Sequence, residues 1–210
     1  PPPTTTTGPW VPFTNPADLV RQQYLDFYGR EGDAGGVAYW AGQLTSKART
    51  IPWVIDAFLH STEFGRVVAP VARLAVLALG APPAFDDLQD WAAASKAGSP
   101  LATVAVDVCT RPAYATRFGG LGNAAFVAAA HQAALGRAPT AAESSDLVAK
   151  LVGGTLTRPA LLAQIAATSA CATHLGPEVE VLMTYAGLLR RKPDSGGWTY
   201  WVAKVRAGTS

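Results

Sequence analysis

The tightest constraint on this chain is a spacing. Trp40, Trp91, Leu147 and Trp201 stand 51, 56 and 54 residues apart. A second landmark keeps step with the first: Gly29-Arg30, Gly80-Ala81, Gly136-Arg137 and Arg190-Arg191 recur at the same three intervals. Two landmarks in register predict internal repetition, in which each unit buries its apolar face against its neighbours. The expected fold is all-α. It comprises about four diverged copies of a three-helix unit, at residues 16–66, 67–119, 120–175 and 176–210, packed side by side into one domain.

The helices follow from periodicity. Val20, Tyr24, Phe27 and Tyr28 form one stripe of a period-3.6 helix, as do Val71, Ala75, Ala78 and Leu79 and the matching sets near 127 and 181. Gly29, Gly80 and Gly136 then end their helices, since glycine enters the left-handed region at little cost. Arg190 holds that place in the fourth unit, so a different stop is expected there. In the second helices Val37, Trp40, Ala41 and Leu44 share a face, which predicts indoles turned inward. Asp33 and Asp194 stand as N-caps, and Thr140 with Glu143 forms a capping box. Ala84 cannot cap, so the helix after it is expected to start frayed or shifted. A third helix in each of the first three units opens with proline in its first turn. The fourth unit ends at Ser210 before such a helix. Either the chain is cut there or the segment "WVPFT" fills the vacant place.

The stretch "ADLVRQQYLDFYGREGDAGGVAYWAGQL", followed by "AFLHSTEF", resembles the bacterial domain-of-unknown-function family 4214. The later "RRKPDSGGWTYW" is similar over its length, whereas the two middle units lack the Asp-x-x-Gly and Ser-x-Glu-Phe pieces. The resemblance implies an all-helical module akin to phycobilisome linker domains, of a kind found in secreted and surface proteins, and it implies no general activity.

Composition narrows the function. Charged residues are 15% of the chain and the net charge is +2, against about 25% charged residues in an average domain. A nucleic-acid binder needs a concentrated basic face, so no nucleic-acid partner is expected. No apolar run reaches the roughly 18 residues of a membrane span, because Pro70 and Arg73 interrupt the most apolar stretch. His60, His131 and His174 show no metal-ligand spacing, and no nucleophile elbow or phosphate loop is present. No catalysis, metal or cofactor is expected. His131 replaces an aromatic on a first helix and reads as a packed histidine.

Residues 1–15 read as a Pro/Thr-rich linker after an upstream module, with residues 16–210 as the helical domain. Arginine outnumbers lysine 12 to 5, which reads as bacterial coding bias. Cys109 and Cys171 occupy nearly equivalent places near the ends of third helices. In an oxidising compartment they are a disulfide candidate; otherwise they are buried apolar thiols. Candidate ligand-binding residues are Arg30, Asp33 and Tyr39 near the start of the chain, and Arg191, Asp194 and Tyr200 near its end. A tyrosine ring beside a carboxylate and a guanidinium suits a sugar. The alternative is an edge-of-core tyrosine with Arg30 tied to Glu63. Gly35-Gly36 and Gly196-Gly197 permit either close packing or ligand access to backbone N–H groups. The expected function is a non-catalytic extracellular binding or adhesion module of a secreted bacterial protein. Its expected partners are a cell-surface glycan or surface protein and the upstream domain. A structural or protein–protein interaction spacer is the alternative.

Overall fold

Short helices with strong punctuation build this chain. The computed structural model describes residue 10 and residues 13–208. The Pro/Thr stretch expected as a linker lies mostly outside the described residues. Among those described there are α-helices and one π turn, with no strand. In order they are α1 (Pro16–Gln23), a π turn (Tyr24–Tyr28), α2 (Ala34–Thr45), α3 (Ile51–Leu59), α4 (Thr62–Leu79), α5 (Phe85–Lys96), α6 (Leu101–Val108), α7 (Pro112–Phe118), α8 (Asn123–Leu135), α9 (Ala141–Val152), α10 (Arg158–Ala166), α11 (Ser169–His174), α12 (Gly176–Leu189) and α13 (Ser195–Arg206). Among the described residues no helix is long and apolar enough to cross a membrane.

The caps act as their chemistry dictates. Asp33 accepts from the Gly36 N–H at 2.7 Å and Asp194 from the Gly197 N–H at 2.8 Å. Thr140 and Glu143 form both bonds of a capping box. Helices α2, α5, α9 and α13 are each 12 residues long. Thus α5 is neither shortened nor shifted, although Ala84 makes no side-chain cap bond. Asp86 and Asp87 lie in its first turn, where negative charge favours the helix N-terminus. Gly29, Gly80, Gly136 and Arg190 are all left-handed, with φ of 58°, 70°, 66° and 50°. Arg190 therefore makes the same stop as the glycines, contrary to expectation. Its guanidinium reaches Asp26 at 3.8 Å and lies over the Phe85 ring. These contacts offset a left-handed cost of about 1–2 kcal/mol.

Two features depart from a row of three-helix units. A fourth helical segment follows each third helix, and its join to the next helix varies. In α4 the two are fused into 18 residues, with Pro70 inside. Leu175 separates α11 from α12, and residues 119–122 separate α7 from α8. The fused helix then becomes the axis of the molecule. Every residue from Val71 to Ala78 is buried. α4 touches the π turn and α3, α5, α6, α7, α8, α10, α11 and α12. The helices gather around α4 instead of standing side by side.

The π turn brings the start of the chain to its end. Tyr24, Phe27 and Tyr28 would share one face of an α-helix, and Asp26 would lie off it. In the π turn all four are buried. Phe27 lies against Gly187 of α12, where an added Cβ would overlap its ring. Gly187→Ala is expected to cost about 1–3 kcal/mol by overpacking, despite alanine's better helix propensity. A urea melt of the variant checks this: an unchanged or raised midpoint would show that the two surfaces have room.

The indoles correct a further expectation. Only Trp91 is buried, at 3% exposed; its Nε1–H donates to Asp107 at 2.5 Å. Trp40 is half-buried beside Trp53 and Phe58 of α3. Trp201 is 48% exposed, because no described helix lies over that face of α13. Trp10 and Phe13 pack partly on the core, while Val11 and Pro12 lie outside the described residues.

Candidate functional site

The two Gly-Gly helix starts are built alike. Gly36 lies under the Tyr24 hydroxyl, and Gly197 under the Tyr185 hydroxyl. At either position a Cβ would collide with the phenol oxygen, at 2.5 Å in the second case. The second glycine of each pair therefore serves close packing. Arg30 lies over the Tyr24 ring at 5.1 Å, and Arg191 over the Tyr185 ring, also at 5.1 Å. The Asp33 and Asp194 caps complete the matching corners. Accepting backbone N–H groups, that of Gly197 foremost, holds the Asp194 carboxyl below the usual range.

The two corners differ in what the arginine does. Arg30 is clamped by Glu63, with Nε and Nη2 donating to separate carboxylate oxygens at 2.6 and 2.7 Å. This fork holds the Glu63 carboxyl below its ordinary range. Arg30 is thus the structural tie, and its donors are committed. Among the described residues Arg191 has no such clamp; Asp194 lies 3.9 Å away. Beside the clamp, burial pulls the Lys96 ammonium down to about 8.

Tyr39 and Tyr200 stand apart from these corners. They are 57% and 55% exposed. Each rests edge-on against the following indole, with centroids 4.9 Å apart for Tyr39–Trp40 and 5.1 Å for Tyr200–Trp201. Lys204 Nζ lies over the Tyr200 ring at 5.6 Å. The structure therefore brings Arg30 and Asp33 together around Tyr24, and Arg191 and Asp194 together near Tyr185. It pairs Tyr39 and Tyr200 with tryptophans instead. The sequence reading missed Tyr24 and Tyr185 as corner residues; their signal was an aromatic one turn before the helix stop, 12 residues ahead of Gly36 and of Gly197.

The cysteines are free thiols, so the anticipated bridge is not formed. Cys109 caps the end of α6 near Tyr114, while Cys171 sits within α11, wholly buried and within electrostatic reach of Arg73. Burial pushes both thiols up to about 11, away from the reactive thiolate. His131 is 4% exposed, with Nδ1 at 3.0 Å from the Val127 carbonyl oxygen. Among the described residues no group of three His, Cys, Asp or Glu side chains is placed to hold a metal.

No curated protein and no solved structure matches this chain. A family model described as a domain of unknown function, DUF4214, matches residues 14–68. That span holds α1, the π turn, α2, α3 and the first residues of α4, with the Arg30–Glu63 clamp, the Asp33 cap and the Tyr39–Trp40 pair. The match to the DUF4214 model is confined to residues 14–68, the segment that carries that clamp.

Proposed function

We propose that this chain is a non-catalytic binding module of a secreted bacterial protein, built from diverged tandem copies, and that it recognises cell-surface carbohydrate. The observation that carries the reading is the pair of exposed aromatic shelves, Tyr39 on Trp40 and Tyr200 on Trp201. A tyrosine held edge-on by an indole offers a pre-set ring face at small entropic cost. The C–H face of a sugar stacks on such a ring. Two shelves on one chain add avidity, in which linked sites exceed single ones by roughly 10²–10⁴.

A glycan array probed with the wild type, Tyr39→Ala, Tyr200→Ala and the double variant tests this. Retention of a defined glycan class is expected for the wild type. Each single variant should lose about tenfold or more of it, and the double variant all of it. Circular dichroism confirms the fold of each. A correctly folded wild type that retains no glycan removes the proposal.

A second reading, a protein-interaction spacer, is favoured by the apolar surface around α12. Leu188 and Leu189 are 45% and 52% exposed. Leu188 joins Trp53 and Ile55 in a groove of about 560 Å³ between α3 and α12. Light scattering separates the readings: stable self-association without glycan binding supports the spacer.

A further inference from the structure

The central helix carries a charge without a counter-ion. Arg73 is 9% exposed and sits in the all-buried stretch of α4, between Ala72 and Leu74. Its Nε–H donates to the Ala166 carbonyl oxygen at 2.8 Å. Among the described residues its two terminal nitrogens make no hydrogen bond to the protein, and neither is sealed from solvent; no carboxylate acts on it. Burying a cation is costly unless it is paired. Here desolvation does lower the Arg73 affinity for its proton, and the Cys171 thiol nearby offsets that only in part. A guanidinium presents its remaining donors as a planar fork that matches a carboxylate.

Arg73 also lines a cleft. A pocket of about 370 Å³ lies between α4 and the start of α12, with Arg73 in its wall. Leu59, Phe64 and Val179 line it with apolar surface. Gly65 leaves its mouth clear, since a Cβ added there meets nothing within 4 Å. Glu180 and His60 also line it. The His60 Nδ1 lies 3.1 Å from Asp56 and 2.9 Å from its carbonyl oxygen, which leaves Arg73 as the uncommitted cation of the pocket. The volume is that of a small-molecule site, where apolar walls and a few placed polar groups set orientation.

We propose that this pocket binds a small organic carboxylate, its anionic head forked on Arg73 and its short apolar body against Leu59, Phe64 and Val179. The site is independent of the tyrosine shelves. It answers the unpaired charge and the apolar lining together: an inorganic anion leaves the walls wet, and an uncharged apolar molecule leaves the guanidinium unpaired.

Isothermal titration of the full chain with hexanoate, hexanol and inorganic phosphate tests this. Hexanoate is expected to bind one-to-one, at least tenfold more tightly than hexanol or phosphate. Arg73→Met should weaken hexanoate at least tenfold without weakening hexanol. Gly65→Leu fills the mouth while leaving Arg73 in place, and it should block hexanoate with the circular dichroism unchanged. The second variant keeps the test decisive if Arg73→Met does not fold. Equal affinity for hexanoate and hexanol, no binding of hexanoate, or hexanoate affinity unchanged in folded Gly65→Leu would each overturn the assignment.

Discussion

Phe58→Ala is expected to lose about 4 kcal/mol of folding stability, the largest effect of any single truncation proposed for this chain. Phe58 is 1% exposed and lies at the centre of an aromatic cluster. It stacks on Tyr28 with centroids 4.9 Å apart and planes 10° apart, and it meets Tyr24 edge-on at 5.0 Å. Phe27 and Trp40 lie at 6.1 and 5.8 Å. Truncation leaves a cavity bounded by four rings, three from the π turn and one from α2, so collapse into it is limited. The ring pairs contribute beyond the buried area. The same ring is what supports Trp40 and through it Tyr39, so the variant should also loosen the first shelf. Urea melts followed by tryptophan fluorescence give both readouts. Phe58→Leu should cost less than half as much. A loss below about 1 kcal/mol for alanine would show that the cluster repacks freely, and the rigid shelf would go with it.

The second large effect is electrostatic and depends on pH. Asp26 is 4% exposed. One of its carboxylate oxygens accepts from Gln22 Nε2 at 3.0 Å, and the other is buried without a partner. Burial drives its pKa up to about 6; the Gln22 bond and Arg190 oppose that only in part. The folded state therefore holds the Asp26 proton more tightly than the unfolded chain, whose carboxyl titrates near 3.9. The stability that comes from protonated Asp26 is fully present below about pH 4. It is lost as pH rises through 6, by up to about 3 kcal/mol for two units of pKa.

Asp26→Asn removes that titration. Its own amide keeps one unpartnered donor in the same place, which returns about 1 kcal/mol of cost. The variant is expected to be about 2 kcal/mol more stable than the wild type at pH 8 and about 1 kcal/mol less stable than it at pH 4. Taking the difference between the two proteins at each pH cancels the titration of Lys96 and the histidines. A difference that does not change from pH 4 to pH 8 would mean that water reaches the Asp26 carboxylate.

Much of the local structure was readable in advance. The stripe of Val20, Tyr24, Phe27 and Tyr28, the Asp33, Thr140 and Asp194 caps and the glycine stops all rest on neighbours a turn or less away, so the sequence contains the whole interaction. The mistakes lie where a distant partner decides. Arg190 was expected to force another kind of stop, yet it adopts the glycine conformation because Asp26 and Phe85, far away in the chain, receive its side chain. The Arg30–Glu63 tie was one of two readings, and only the approach of α4 to the α1–α2 corner chose it. Nothing in the sequence marked Asp26, which the π turn buries.

The amino-acid sequence by itself determined that this protein is all-helical, where the Asp33, Thr140 and Asp194 caps and the glycine stops fall, and that the two Asp-x-Gly-Gly corners are alike. Each of these depends on backbone conformation and hydrogen bonds that close within a few residues. Only the tertiary structure decided that α4 is the axis, that Trp91 is buried while Trp201 faces solvent, and that Arg73 lines a cleft. An apolar stripe specifies that a face is to be covered, not what covers it; that choice follows from the packing of all the helices at once.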